Sequence, residues 1–182
     1  MPQRDMIFNV GDDGKQQRWP AFICDGVTYD LSHLDAHEVI FALKDDSYRF
    51  IVTYSHHCFA KDCPDGSNID PKWIYPHGNE RRAFHVERYA LSKKLPSLMP
   101  GLITAKTYHA GYDNYAFCEL IQGETVVYYK ITFVIYRSAK KFRLHISSAY
   151  PVGANDYNSK RRVNFASIVN SVARGKKLPT PK

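Results

Sequence analysis

The chain has 182 residues, 44% of them hydrophobic and 14% aromatic, enough to build the core of one ordinary domain. Lys and Arg number 25 against 18 Asp and Glu, for a net charge of +7. No apolar run approaches the ~20 residues of a membrane helix, Met1–Gly14 has no secretory or transit pattern, and Cys24, Cys58, Cys63 and Cys118 read as reduced thiols, so a cytoplasmic protein without a membrane partner is expected.

In chain order, the first half reads as β-rich. Phe22-Ile23 leads into a turn at Gly26, and Val39–Leu43 and Arg49–Phe59 are strand-like runs separated by Lys44–Ser47. A loop with Pro64, Gly66, Pro71, Pro76 and Gly78 marks the expected boundary between a β-rich part, 1–78, and the remainder, 79–182, of one domain. Asn79 is placed to cap a helix from Glu80 to Leu95, stopped by Pro96 and Pro100. The second half predicts an antiparallel meander: Leu102–Tyr108, Tyr115–Ile121, Thr125–Arg137 and Phe142–Tyr150. A closing helix over Arg162–Ala173 places Phe165, Ile168, Val169 and Val172 on one face, with Gly175 as its stop. The fold class is α+β.

Charge is unevenly spread. Arg137–Lys182 contains eleven Lys and Arg against one acid, Asp156, while the other 136 residues carry 14 basic and 17 acidic side chains. Such a block is either a solvated tail or an electrostatic footprint for a polyanion, RNA or DNA being the commonest. Its interleaving with apolar, structured sequence favours the second.

The last hairpin is the most readable segment. Alternation sends Val127, Tyr129, Ile131, Phe133 and Ile135 to the core, together with Phe142, Leu144 and Ile146. The opposite face carries Tyr128, Lys130, Thr132 and Tyr136 on one strand and Arg143, His145 and Ser147 on the other. A turn at Ser138–Lys141 sets Tyr136 opposite Arg143 and Thr132 opposite Ser147. Ser148 and Tyr150 have core parity unless a bulge intervenes. His moves protons, Arg holds a phosphate and Tyr stacks on bases, so this face suits either phosphodiester chemistry or ordinary solvation. His109, in the loop Tyr108–Tyr115, is a second histidine that could reach it.

Ser55-His-His-Cys-Phe59 is the most unusual string. Read as a strand, it turns His56 to the core and His57 outward, so the pair cannot act together and His57 is the site candidate. A zinc set would draw on His57, Cys58, Cys63 and His77, but the spacing matches no standard knuckle. No phosphate-cradling loop, carboxylate metal motif or nucleophile elbow occurs. The expectation is no cofactor and no metal.

Arg143-Leu-His-Ile-Ser-Ser-Ala-Tyr-Pro151 resembles the closing strand of small bacterial RNase toxins of the barnase/EndoU/colicin/RelE-like group, and a helix followed by four antiparallel strands over Glu80–Tyr150 is similar to their layout. The resemblance covers about 70 residues. It implies metal-independent RNA cleavage, with His145 or His109 as acid and base, Arg143 holding the phosphate, and Ser148 or Tyr150 positioning it. The first expectation is therefore an endoribonuclease of toxin or phage-defence type, with Tyr128, Lys130, Tyr136, Arg137, Arg161, Arg162, Lys176 and Lys177 contacting RNA. The alternatives are a non-catalytic nucleic-acid-binding module and an interaction domain for an acidic partner such as an antitoxin.

Overall fold

The spine of the fold is the hairpin in which alternation is clearest. A computed structural model describes residues 18–44, 46–64, 66–77, 80–112, 114–121, 126–153 and 162–180. Its strands include β1 Phe22–Cys24, β2 Val27–Tyr29, β3 His37–Leu43, β4 Asp46–Tyr54, β5 Ala60–Asp62, β6 Ile74–His77 and β7 Glu80–Phe84. The C-terminal half adds β8 Tyr108–Gly111, β9 Asn114–Ile121, β10 Val127–Ser138 and β11 Lys141–Val152. Three helices, α1 Val86–Ser92, α2 Leu95–Leu98 and α3 Phe165–Ala173, complete the α+β chain.

Strands β10 and β11 pair from Ser138↔Lys141 to Tyr128↔Val152, turning through Ala139 and Lys140, both at positive φ. Two such central residues are the geometry of a two-residue turn whose twist matches the strands it joins. Tyr136 faces Arg143 as expected, but the register then shifts: Phe133 faces Ile146 and Thr132 faces Ser148, which leaves Ser147 as the extra residue of a β-bulge. Ser147 donates its hydroxyl to the Thr132 carbonyl at 3.2 Å. The bulge inverts the phase of the strand. Leu144 and Ile146 are fully buried before it and Ala149 after it. Ser148 and Tyr150 thereby join Arg143 and His145 on the outer face.

The hairpin sits inside a six-stranded sheet, β3-β4-β11-β10-β9-β8. Strand β4 runs parallel to β11, with Thr53 beside His145 and Ile51 beside Arg143. The N-terminal β-rich part and the C-terminal meander thus share one sheet. Helix α3 closes its inner face: Phe165 packs edge-on to Phe41 at 4.9 Å and to Phe133 at 6.2 Å between ring centroids. Asn164 caps this helix by accepting from the Ala166 N–H, and Gly175, at φ 61°, ends it as the sequence predicts. A smaller sheet, β5-β7-β6, and the β1-β2 hairpin are joined by aromatic packing, Phe22 stacking on Phe84 at 4.5 Å.

Two elements differ from expectation. The helix predicted over Glu80–Leu95 is a strand, β7, followed by two short helices, with His85 rather than Asn79 accepting the capping hydrogen bond, from Arg88 N–H. Asn79 lies outside the described residues. Glu80–Phe84 gains ladder partners on both sides, Ala60–Asp62 and Ile74–His77, and buries Phe84 among aromatic rings, which outweighs local helix propensity. The predicted strand from Leu102 is a 3-10 helix over Met99–Ile103, entered through Pro100, and only Tyr108 begins β8.

Candidate metal centre

Ser55–Phe59 is not a continuation of β4. The ladder stops at Tyr54, and Ser55 accepts from the His57 N–H to cap one turn of 3-10 helix over His56–Cys58. In a 3-10 turn adjacent side chains diverge by about 120° rather than the 180° of a strand. Both imidazoles therefore reach the same neighbour. Their rings lie 4.5 Å apart and nearly perpendicular, and both point at Glu80, the first residue of β7. This corrects the expectation that the two histidines face opposite ways.

The convergence is tight. His56 Nε2 lies 3.1 Å and His57 Nε2 3.2 Å from Glu80 Oε2, while Arg82 donates its Nε–H to the same oxygen at 2.8 Å. Three nitrogens thus crowd one carboxylate oxygen that offers about two lone pairs. Tetrahedral ligand atoms at zinc distances of about 2.0–2.1 Å lie about 3.3–3.4 Å from one another. The two His–Glu separations approach that edge length, and the candidate ligand atoms of all three residues lie within 4.8 Å of one another. His77, opposite Glu80 on the β6–β7 ladder, brings its ring to 4.4 Å from that of His56.

The ionisation states suit a cation. The Arg82 hydrogen bond, helped by His57, lowers the Glu80 carboxyl to about 2. Burial first, then the neighbouring His57 and His77, lowers His56 to about 3, and burial also lowers His77. At neutral pH His56 and His77 are neutral and Glu80 is ionised, the forms that bind metal. His56 is buried, whereas the Glu80 side chain is 46% exposed, so the cluster opens to solvent on one side.

Other predicted residues are placed differently. Cys58 is fully buried, its thiol pushed up to about 12 by burial and donating to the Ile146 carbonyl; Cys63 contacts Ser67 Oγ. Among the described residues no cysteine joins the cluster. His145 is 6% exposed with Nδ1 2.9 Å from Thr53 Oγ1. His109 pairs with Tyr115, whose ring is in the core, and its Nε2 contacts the Tyr112 carbonyl at 2.6 Å. Cross-strand partners share a face, so His109 and His145 lie on opposite faces of the sheet. Tyr128, Lys130, Ser148 and Tyr150 share the outer face with His145, and the Tyr150 ring has the Arg88 guanidinium 5.0 Å and the Lys130 ammonium 5.9 Å from its centroid. Arg137 covers Phe142, Arg162 bridges to Tyr108, Lys176 and Lys177 follow α3, and Arg161 lies outside the described residues. The residues that sequence reasoning missed are His56 and Glu80. The serine before the histidine pair was the available signal, because a Ser cap marks a turn start as readily as a strand end.

Burial makes the protein acid-sensitive. His145 is lowered to about 4, chiefly by burial and then by His57. The unfolded chain, with His near 6.5, therefore binds more protons between about pH 6.5 and 4, and stability falls as pH falls through that window. His56 has the same sign, and Glu80 extends the loss below about 4.5. Urea midpoints measured in EDTA are expected to drop from pH 7 to pH 5, less steeply in His145→Asn. A flat profile would contradict the buried, neutral histidines.

The comparisons with known proteins give the chain its relatives. The model of the YjaZ family matches residues 21–173. This chain belongs to the YjaZ family. Protein YjaZ of Escherichia coli (strain K12) is 36% identical over 165 residues, covering 86% of this chain and 91% of the relative. No solved structure matches. The YjaZ-family span contains the whole His56–His57–Glu80 cluster and the polar outer face, and ends before Lys176 and Lys177. Among the described residues no helix is long and apolar enough to cross a membrane.

Proposed function

We propose that this YjaZ-family protein binds a divalent transition metal of the zinc class through His56, His57 and Glu80. The observation that carries the reading is the approach of two imidazole nitrogens to one carboxylate oxygen at 3.1 and 3.2 Å. Two His and one Glu form a donor set that leaves a fourth position for water, and the exposed side of Glu80 keeps that position reachable. Such an arrangement suits Lewis-acid chemistry on a water or a carbonyl, with Arg82 fixing the carboxylate. Metal-free protein titrated with zinc against a chromophoric chelator is expected to bind one equivalent, weakened in His57→Ala and unchanged in Cys63→Ala. Absence of one-to-one binding, or equal affinity in His57→Ala, would sink the reading.

A second reading is RNA binding, favoured by the Arg88 and Lys130 cations close to the Tyr150 ring, with exposed Tyr128 on the same face. Aromatic platforms flanked by cations suit unstacked bases. Cleavage by His145 and His109 together lacks geometric support, because both would have to reach one phosphate from opposite faces. The oligonucleotide titrations described below test this reading as well.

A further inference from the structure

The outer face of the sheet contains a buried charge that has no counter-charge among the described residues. Arg143 is 4% exposed and stands between Tyr136 on β10 and Ile51 on β4. Among the described residues its Nη1 has no hydrogen-bond partner, and neither does the buried hydroxyl of Tyr136. The guanidinium can only donate and stays charged at any physiological pH, and the phenol has a hydroxyl proton to donate. A buried cation is tolerated when an anion or a set of acceptors meets it, and unpaired donors on two facing residues point to an acceptor supplied from outside the chain.

The surroundings indicate what kind. The hairpin turn beside Arg143 carries Lys140 and Lys141. A groove of about 650 Å³, lined by Glu38, Ser47, Arg49, Ile51, Lys140 and Lys141 among others, runs up to the strand neighbour of Arg143. The acid among these six, Glu38, is paired with Arg49 at 3.5 Å. His145, two residues on, is neutral and bonded to Thr53. Among the described residues, three basic side chains, Arg49, Lys140 and Lys141, thus share this groove with one acid, beside a guanidinium and a phenol that can donate.

We propose that Arg143 and Tyr136 form a binding site for a phosphate group, with Lys140 and Lys141 drawing it in along the groove. A phosphate fits better than a carboxylate because its second negative charge and third oxygen use the surplus of cations and donors. The site is separate from the His56–His57–Glu80 cluster and does not depend on metal.

The test uses full-length protein in EDTA and phosphate-free buffer, titrated calorimetrically with inorganic phosphate at constant ionic strength in chloride. Saturable binding and a rise in Tm are expected. Arg143→Met is expected to melt at or above the wild-type temperature without ligand, since it removes a buried unpaired charge, and to lose about tenfold or more in affinity. Tyr136→Phe removes one donor, should fold normally and bind several-fold more weakly; it keeps the test valid if Arg143→Met does not fold. Oligoribonucleotides with and without a 5′-phosphate separate the sources. A preference for the phosphorylated strand that Tyr136→Phe reduces assigns the site to an RNA end, and equal affinity for both strands with binding of free phosphate assigns it to a small phosphate compound. No saturable response to phosphate or to the phosphorylated strand, or wild-type affinity in both variants, would overturn the proposal.

Discussion

Glu80→Gln is expected to weaken zinc binding by about 100-fold or more, the scale of losing a ligand rather than a supporting contact. The change is isosteric, so the amide oxygen can still accept from the His56 and His57 rings, and only the ligand's charge is lost. In the wild type that charge is held ionised by Arg82, which donates at 2.8 Å and also pairs with Asp62 at 2.9 Å. The amide oxygen can also still accept from Arg82, which keeps its pairing with the largely exposed Asp62, so a loss of about 1 kcal/mol or less is expected from replacing the charged acceptor by a neutral one. The two readouts separate the interpretations. If the cluster were a hydrogen-bond network and nothing more, the variant would lose a little stability and zinc binding would show no difference. Competition titration and chemical unfolding in EDTA, performed on the same preparation, distinguish them.

Phe133→Ala is expected to cost about 3–5 kcal/mol of folding stability, a large share of the roughly 5–15 kcal/mol typical of a domain. Phe133 is fully buried at the centre of β10, opposite Tyr115 on β9 and Ile146 on β11. Its ring lies 6.0 Å from Tyr115, 6.2 Å from Phe117 and 6.2 Å from Phe165. It therefore ties the central strands to the helix that closes the inner face, and a cavity there has no flexible neighbour to fill it. Val134→Ala, one residue further on and half-buried on the outer face, should cost about 1 kcal/mol, because it removes two methyl groups that are only partly withdrawn from solvent rather than a fully buried ring. Urea unfolding read by tryptophan fluorescence measures both. Similar costs at the two positions would contradict the assignment of the two faces.

Much of the sheet was legible because its strands alternate cleanly. Tyr129, Ile131, Phe133 and Ile135 are all buried as parity requires, and Tyr136 faces Arg143 as the turn predicts. The Phe165, Ile168 and Val169 face of α3 was equally readable. Glu80–Phe84 was not, since a short basic segment with helix-favouring residues becomes a strand when two other segments offer it ladders. The bulge at Ser147 was also hidden. Nothing in the string Ile146-Ser-Ser-Ala149 marks which serine is extra, and the outcome depends on which carbonyl across the hairpin accepts its hydroxyl.

The candidate sites divide along the same line. Arg143 was singled out from the sequence as a phosphate-holding residue because a basic position on a polar strand face can be read from parity alone. His57 was singled out as well, but with cysteines as its partners, because candidate ligands had to be sought along the chain. The sequence by itself determined the α+β class, the inner face of the last hairpin and the basic character of its outer end, all set by residue order within a few positions. Tertiary structure alone decided that β4 lies parallel to β11, that Arg143 is buried with no counter-charge among the described residues, and that Glu80 meets His56 and His57. Those outcomes require segments more than twenty residues apart to pack together, and the free energy that selects them comes from shared ladders and buried rings rather than from local propensity.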